Sequence, residues 1–167
     1  MDLMVDAAYP GNIPDGKYHW CMAYANGAYA WARKYLDEFA GHVMIGVYAG
    51  QPQQAVYARE LDVERYDAST GDILPFVNYR AQLGHHDATI YASVSTFQSM
   101  PPETLLAIPR LHVAWWRNVP GYPTRRQVWQ AIGVNDLPED NIWACQYMTV
   151  PDQYDVSVIY GERDFVR

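Results

Sequence analysis

Long apolar runs, cysteine and positive charge are all scarce in this chain, and each scarcity removes a class of function. The longest apolar stretches are strand-length, short of the roughly 18 residues that a membrane-spanning helix needs. Only two cysteines occur, Cys21 and Cys145, inside the apolar segments Trp20-Cys21-Met22-Ala23-Tyr24 and Trp143-Ala144-Cys145-Gln146-Tyr147. In such settings free thiols behave as small buried hydrophobes, although two cysteines alone leave a bridge open. The 12 Lys and Arg are scattered among 19 Asp and Glu, for a formal charge of −7. Phosphate neutralisation needs a basic stripe, so a nucleic-acid partner is not expected. The N-terminus carries Asp2 rather than a positive segment followed by an apolar one, so the expectation is a soluble protein with no secretion signal of its own and no membrane partner.

Metal ligands are sparse too. His85 and His86 are adjacent, flank Asp87, and lack a second ligand pair at zinc spacing. No loop shows the alternating oxygen ligands of a calcium site. Neither a metal nor a cofactor is expected, and a metal-dependent hydrolase built on His85, His86 and the acids is a distant alternative.

What the chain does have is apolar and aromatic content. Half of its 167 residues are apolar and 14% are aromatic, which supports one packed domain over 1–167 despite eleven glycines and eleven prolines. Apolar runs bounded by turn residues predict strands at 3–9, 18–25, 42–48, 59–65, 88–93, 111–116, 142–148 and 156–160. Helical spacing predicts helices over 29–39, 72–83 and 101–108, and another after Thr124. Strands alternating with helices imply an α/β fold with a largely parallel sheet, and eight strands are enough to close a barrel.

Against that background four carboxylates stand out. Asp6 ends Leu3-Met4-Val5-Asp6, Asp62 and Glu64 sit in Leu61-Asp62-Val63-Glu64, and Asp155 lies beside the last strand. Acids are depleted in strands and rarely buried unless paired. Residues at i and i+2 of a strand share a face, so Asp62 and Glu64 are expected side by side. Repulsion and partial burial would then raise one carboxyl's pKa beside an ionised neighbour, the requirement for general-acid cleavage of a glycosidic bond. In α/β folds such groups collect at the C-terminal ends of the strands. Competing readings stay open: Asp62 and Glu64 paired with Arg59, Arg65 or Arg80, Asp6 capping the Pro10-Gly11 turn, and Asp155 satisfying backbone N–H groups.

The order Val5-Asp6, Gly46-Val47-Tyr48, Leu61-Asp62-Val63-Glu64, Ile90-Tyr91, Val113-Ala114-Trp115-Trp116, Gln146-Tyr147 and Tyr154-Asp155-Val156-Ser157 resembles the lysozyme-like glycoside hydrolase family 25, in particular its short relatives in actinobacteria and their phages. The resemblance implies a trimmed (β/α)8-type, TIM-like barrel with some helices missing or shortened, and hydrolysis of bacterial cell-wall glycan. By position, Glu64 would be the general acid and Asp62 its assistant, with Asp6 and Asp155 completing the cluster. Tyr48, Tyr91, Trp115 and Tyr147 would contact sugar. The implied setting is a phage virion, or the host cytoplasm and cell wall on lysis, with a virion or self-assembly partner.

The chain departs from the family pattern in two places. Ala7-Ala8-Tyr9-Pro10-Gly11 follows Asp6 where Ser and then Gln-Gly are usual, and Gln51 to Ala58 is too short for the customary helix and loops. These departures carry the alternative of a catalytically degenerate barrel acting as a glycan-binding or structural, tail-associated protein.

Overall fold

A computed structural model describes residues 2–14, 20–26, 30–32, 43–45, 56, 58–117 and 120–161. Eight strands, β1 (Asp2–Asp6), β2 (Trp20–Ala23), β3 (Val43–Ile45), β4 (Glu60–Asp62), β5 (Thr89–Ser93), β6 (Arg110–Ala114), β7 (Ile142–Val150) and β8 (Tyr154–Ile159), form one sheet in the order β3-β2-β1-β8-β7-β6-β5-β4. Each overlaps an expected strand. Among the described residues four α-helices, α1 (Ile73–Gln82), α2 (Val94–Ser99), α3 (Pro102–Leu106) and α4 (Arg125–Ile132), complete a mixed α/β fold. The helix expected over 29–39 lies mainly outside the described residues, and of its span Ala30, Trp31 and Ala32 are described and are not helical.

The sheet is largely parallel, as expected, with β8 the exception. β8 runs antiparallel to both β1 and β7, whereas every other ladder is parallel. The reason is loop length: residues 151–153 join β7 to β8, and a parallel crossover needs a dozen residues or more. Asp152 supplies the left-handed residue (φ 58°) of this three-residue turn, and Gln153 N–H closes it onto Val150 O at 3.0 Å.

Strand alternation divides the sheet into two faces. Leu61, Ile90, Leu111, Val113, Cys145 and Val158 point outward and pack beneath Ile73, Phe76, Phe97, Leu105, Val128 and Ile132. On the β1–β2 side Val5, Cys21, Ala23 and Val156 pack around Trp31, whose indole N–H donates to Ala7 O at 2.9 Å. Both cysteines are buried free thiols, as their apolar neighbours imply, and burial pushes Cys21 up to about 11 and Cys145 to about 12. The opposite face holds a small apolar cluster of Met4, Met22, Trp143, Ala144 and Ile159, and otherwise polar groups.

That polar face is concave. In a flat sheet β1 and β4, five ladders apart, would be separated by about 24 Å. Yet the charge of Glu60 acts on Asp6 and that of Asp6 on Asp62, and His112 of β6 hydrogen-bonds to both β4 and β8 across the strands between. Side chains from alternate strands meet in this way only where a sheet curls toward a barrel. Among the described residues no ladder joins β3 to β4, so the described sheet is a curled half-barrel.

Candidate functional site

Register brings the acids together at one end of the concave face. Asp6 is the last residue of β1, and because β8 returns antiparallel, Asp155 near its start pairs directly with Asp6. Asp62 ends β4 opposite Tyr91 of β5. Asp6 and Asp62 are almost fully buried, Asp155 is half-buried, and Glu64 is exposed.

Glu64 reaches the site differently from the expectation. β4 stops at Asp62, Val63 N–H makes one more bond to Tyr91 O at 2.9 Å, and the chain then turns. The turn closes through Asp67 N–H to Glu64 O (3.1 Å) and Ala68 N–H to Asp62 O (3.0 Å), with Tyr66 in left-handed backbone at φ 81°. Strand alternation therefore does not set the Asp62–Glu64 relation. Glu64 sits on a rim turn above Asp62.

The electrostatics follow from burial and like charge. Burial raises the Asp62 carboxyl to about 8, helped by Glu64, Asp67, Glu60 and Asp6. Burial also holds Asp6 well above the usual carboxylate range, with Asp155, Glu60 and Glu64 adding to it and a Tyr24 hydrogen bond opposing. Glu64 is raised by partial desolvation and Asp67, against a hydrogen bond from Tyr91. Asp155 is raised by burial, against hydrogen bonds from Thr149 and Gln146. At neutral pH Asp62 thus keeps its proton. Among the described residues, no donor reaches the buried oxygens Asp62 Oδ1 and Asp155 Oδ1, which leaves both without a hydrogen bond and disfavours the ionised carboxylates.

The competing structural readings fare poorly for the pair. The charges acting on Asp62 are acids, while Arg80 (2.9 Å) and Arg59 (3.7 Å) reach Asp87 instead. Arg65 stacks over Tyr66 with 4.8 Å to the ring centroid. Asp6 lies inside the concave face rather than over the Pro10–Asn12 turn.

The other expected residues divide. Tyr91 is buried in the cluster, and its hydroxyl donates to Gln146 Oε1. Trp115, just past the end of β6, and Tyr147, at a register irregularity of β7, are instead partly buried against the outer core. Trp116, half exposed just past the end of β6, is the better placed indole. Tyr48 lies outside the described residues. His85 and His86 are exposed in the loop before β5, away from the acids, and no cluster of three His, Cys, Asp or Glu fit to hold a metal occurs among the described residues.

Several polar residues escaped the sequence reading. Glu60, His112, Ser157 and Gln146 are all buried on the concave face. Glu60 had a signal, since it precedes Asp62 by two and must share its face. A hollow of about 440 Å³ opens beside Asp6 and Asp155, lined also by Ala7, Tyr9, Asn12 and Thr149 among others, with neither Asp62 nor Glu64 in its wall. Asn12 braces it by donating to Asp152 O at 3.3 Å.

Set against protein-family models, curated proteins and solved structures, the chain has no match. No helix among the described residues is long and apolar enough to cross a membrane.

Proposed function

We propose that this protein is a glycosidase acting on bacterial cell-wall glycan, a muramidase-like hydrolase on a trimmed (β/α)-type barrel, carried by an actinobacterial phage. The observation that carries the reading is the convergence of Asp6, Asp62, Glu64 and Asp155 from three separate chain segments, all with pKa values raised above the ordinary carboxylate range.

In this reading Glu64, the accessible acid of raised pKa, protonates the leaving oxygen. Asp62 stays protonated beneath it and donates a hydrogen bond as charge develops on the sugar. Asp6 and Asp155 face the hollow and hold substrate hydroxyls or the attacking water. Tyr91, whose single hydroxyl proton is shared between Gln146 Oε1 and Glu64, keeps the acid in place. Exposed aromatics at the same rim, Tyr9, Tyr66 and Trp116, offer flat apolar surfaces of the kind that stack on sugar rings.

The test is turbidity loss of purified actinobacterial cell walls by wild type and by Glu64→Gln, with melting temperatures alongside. Glu64 is exposed, so the expected result is an equally stable variant with clearing reduced by a factor of about 10² to 10⁴. Absence of clearing by wild type, with protein still pelleting on the walls, would replace the glycosidase with a glycan-binding module.

A further inference from the structure

Beneath the acids lies a second polar chain. His112 Nδ1 is 2.7 Å from Glu60 Oε1, and His112 Nε2 is 2.8 Å from Ser157 Oγ. With the Glu60 carboxylate accepting from Nδ1–H, Nε2 accepts the Ser157 hydroxyl proton. The connectivity is that of a serine hydrolase triad, but burial argues against that chemistry. Glu60 and His112 are 0% exposed and Ser157 is 1% exposed, so no substrate carbonyl reaches Oγ. Tyr91 and Trp143 box in the imidazole edge-on, with ring centroids 4.9 and 6.0 Å away.

Three buried polar side chains from alternate strands are costly unless fully satisfied, and this set is not. Among the described residues, Glu60 Oε2 has no hydrogen-bond donor. A merely structural link would be served as well by apolar residues of similar volume. What distinguishes Glu60 is its address, two residues before Asp62 on the same face of β4 and close enough to Asp6 of β1 to act on it.

We propose that Glu60, His112 and Ser157 form a positioning unit for the acid mouth, pinning a carboxylate under Asp62 and Asp6 so that the mouth's protons are held from below. The inference rests on the glycosidase reading for the reaction it serves. His112 anchors Glu60 from β6 and is itself anchored from β8, which leaves the carboxylate little freedom to relax away from its like-charged neighbours. The groups facing Asp62 are Glu60 on its own strand, Glu64 and Asp67 on the rim turn, and Asp6 on β1. Those facing Asp6 include Asp155 on β8, Glu60, Glu64 and Tyr24 after β2. Tyr91 contributes from β5, and β7 presents the uncharged Gln146.

Glu60→Gln keeps an acceptor for His112 and removes the charge. Carboxyl carbon NMR should find the Asp62 midpoint, about 8 in the wild type, lower by roughly one pH unit. The alkaline limb of wall clearing should move down with it. Ser157→Ala, which keeps the Glu60 charge and frees the far side of His112, should give a smaller shift in the same direction. If both variants fold and the Asp62 midpoint stays put while only melting temperature falls, the three residues are a structural staple and the proposal fails. Because the titration is read without turnover, a wild type that clears no walls would sink the glycosidase reading alone.

Discussion

At the scale of single residues, Tyr66 is the most informative. A bulky side chain at φ 81° is an outlier, and this one is 87% exposed on the rim turn two residues past Glu64. Left-handed backbone costs a non-glycine residue about 1–2 kcal/mol. Glycine would relieve that while giving up about 0.5–1 kcal/mol in chain entropy and the ring's contact with Arg65, roughly 0.5 kcal/mol at an exposed site. These nearly cancel, so Tyr66→Gly is expected to melt within a degree or two of wild type, yet to bind cell walls more weakly. A large fall in melting temperature would mark the ring as structural. Residue identity was legible where strand alternation was the whole story, as for Asp6 and Asp62. Alternation did not place Trp115 and Tyr147, which pack against the outer core just past β6 and at the irregularity of β7, or His112, whose meaning depends on Glu60 and Ser157, 52 and 45 residues away in sequence.

Among the elements, α4 shows how local chemistry fixes a boundary independently of the site. Thr124 Oγ1 accepts from Gln127 N–H at 3.3 Å, Gln127 Oε1 accepts from Thr124 N–H at 3.0 Å, and Gly133 ends the helix at φ 73°. Thr124→Ala should cost about 1 kcal/mol and lower the melting temperature by about 2–4 °C, without changing wall binding or clearing at temperatures well below the transition. Such caps are visible in sequence, as are the eight strands, because apolar runs punctuated by Gly, Pro and Asn report local preference directly. The direction of β8 is different. Nothing in Val156–Tyr160 states it. The deciding quantity is the span between β7 and β8, and the sequence reading left seven residues there where the strands themselves extend to leave three. That return is also what sets Asp155 against Asp6, so the site depends on the one topological detail that periodicity does not encode.

For the molecule as a whole, collecting acids under a curled sheet reverses the usual response to pH. Asp6, Asp62, Glu64, Asp67 and Asp155 all have raised pKa values when folded. Between their unfolded and folded values the native state binds more protons than the unfolded chain, so stability falls as pH rises. For Asp62 the window runs from about 4 to about 8, and its share approaches an upper bound on the order of 5 kcal/mol at the alkaline end. Asp87 opposes the trend: burial pushes it up, but the hydrogen bond and charge of Arg80, with Arg59 and Arg110, hold it below its ordinary value, so its contribution is lost only in strong acid. Denaturant titrations should therefore find the protein most stable near pH 4 to 5 and progressively weaker up to pH 8. Asp62→Asn should flatten much of that slope and unfold later than wild type at pH 8, because it keeps the shape of the protonated carboxyl without the obligation to ionise. A stability maximum at neutral pH, unaffected by Asp62→Asn, would mean that the acids reach solvent freely and that the curl does not enclose them.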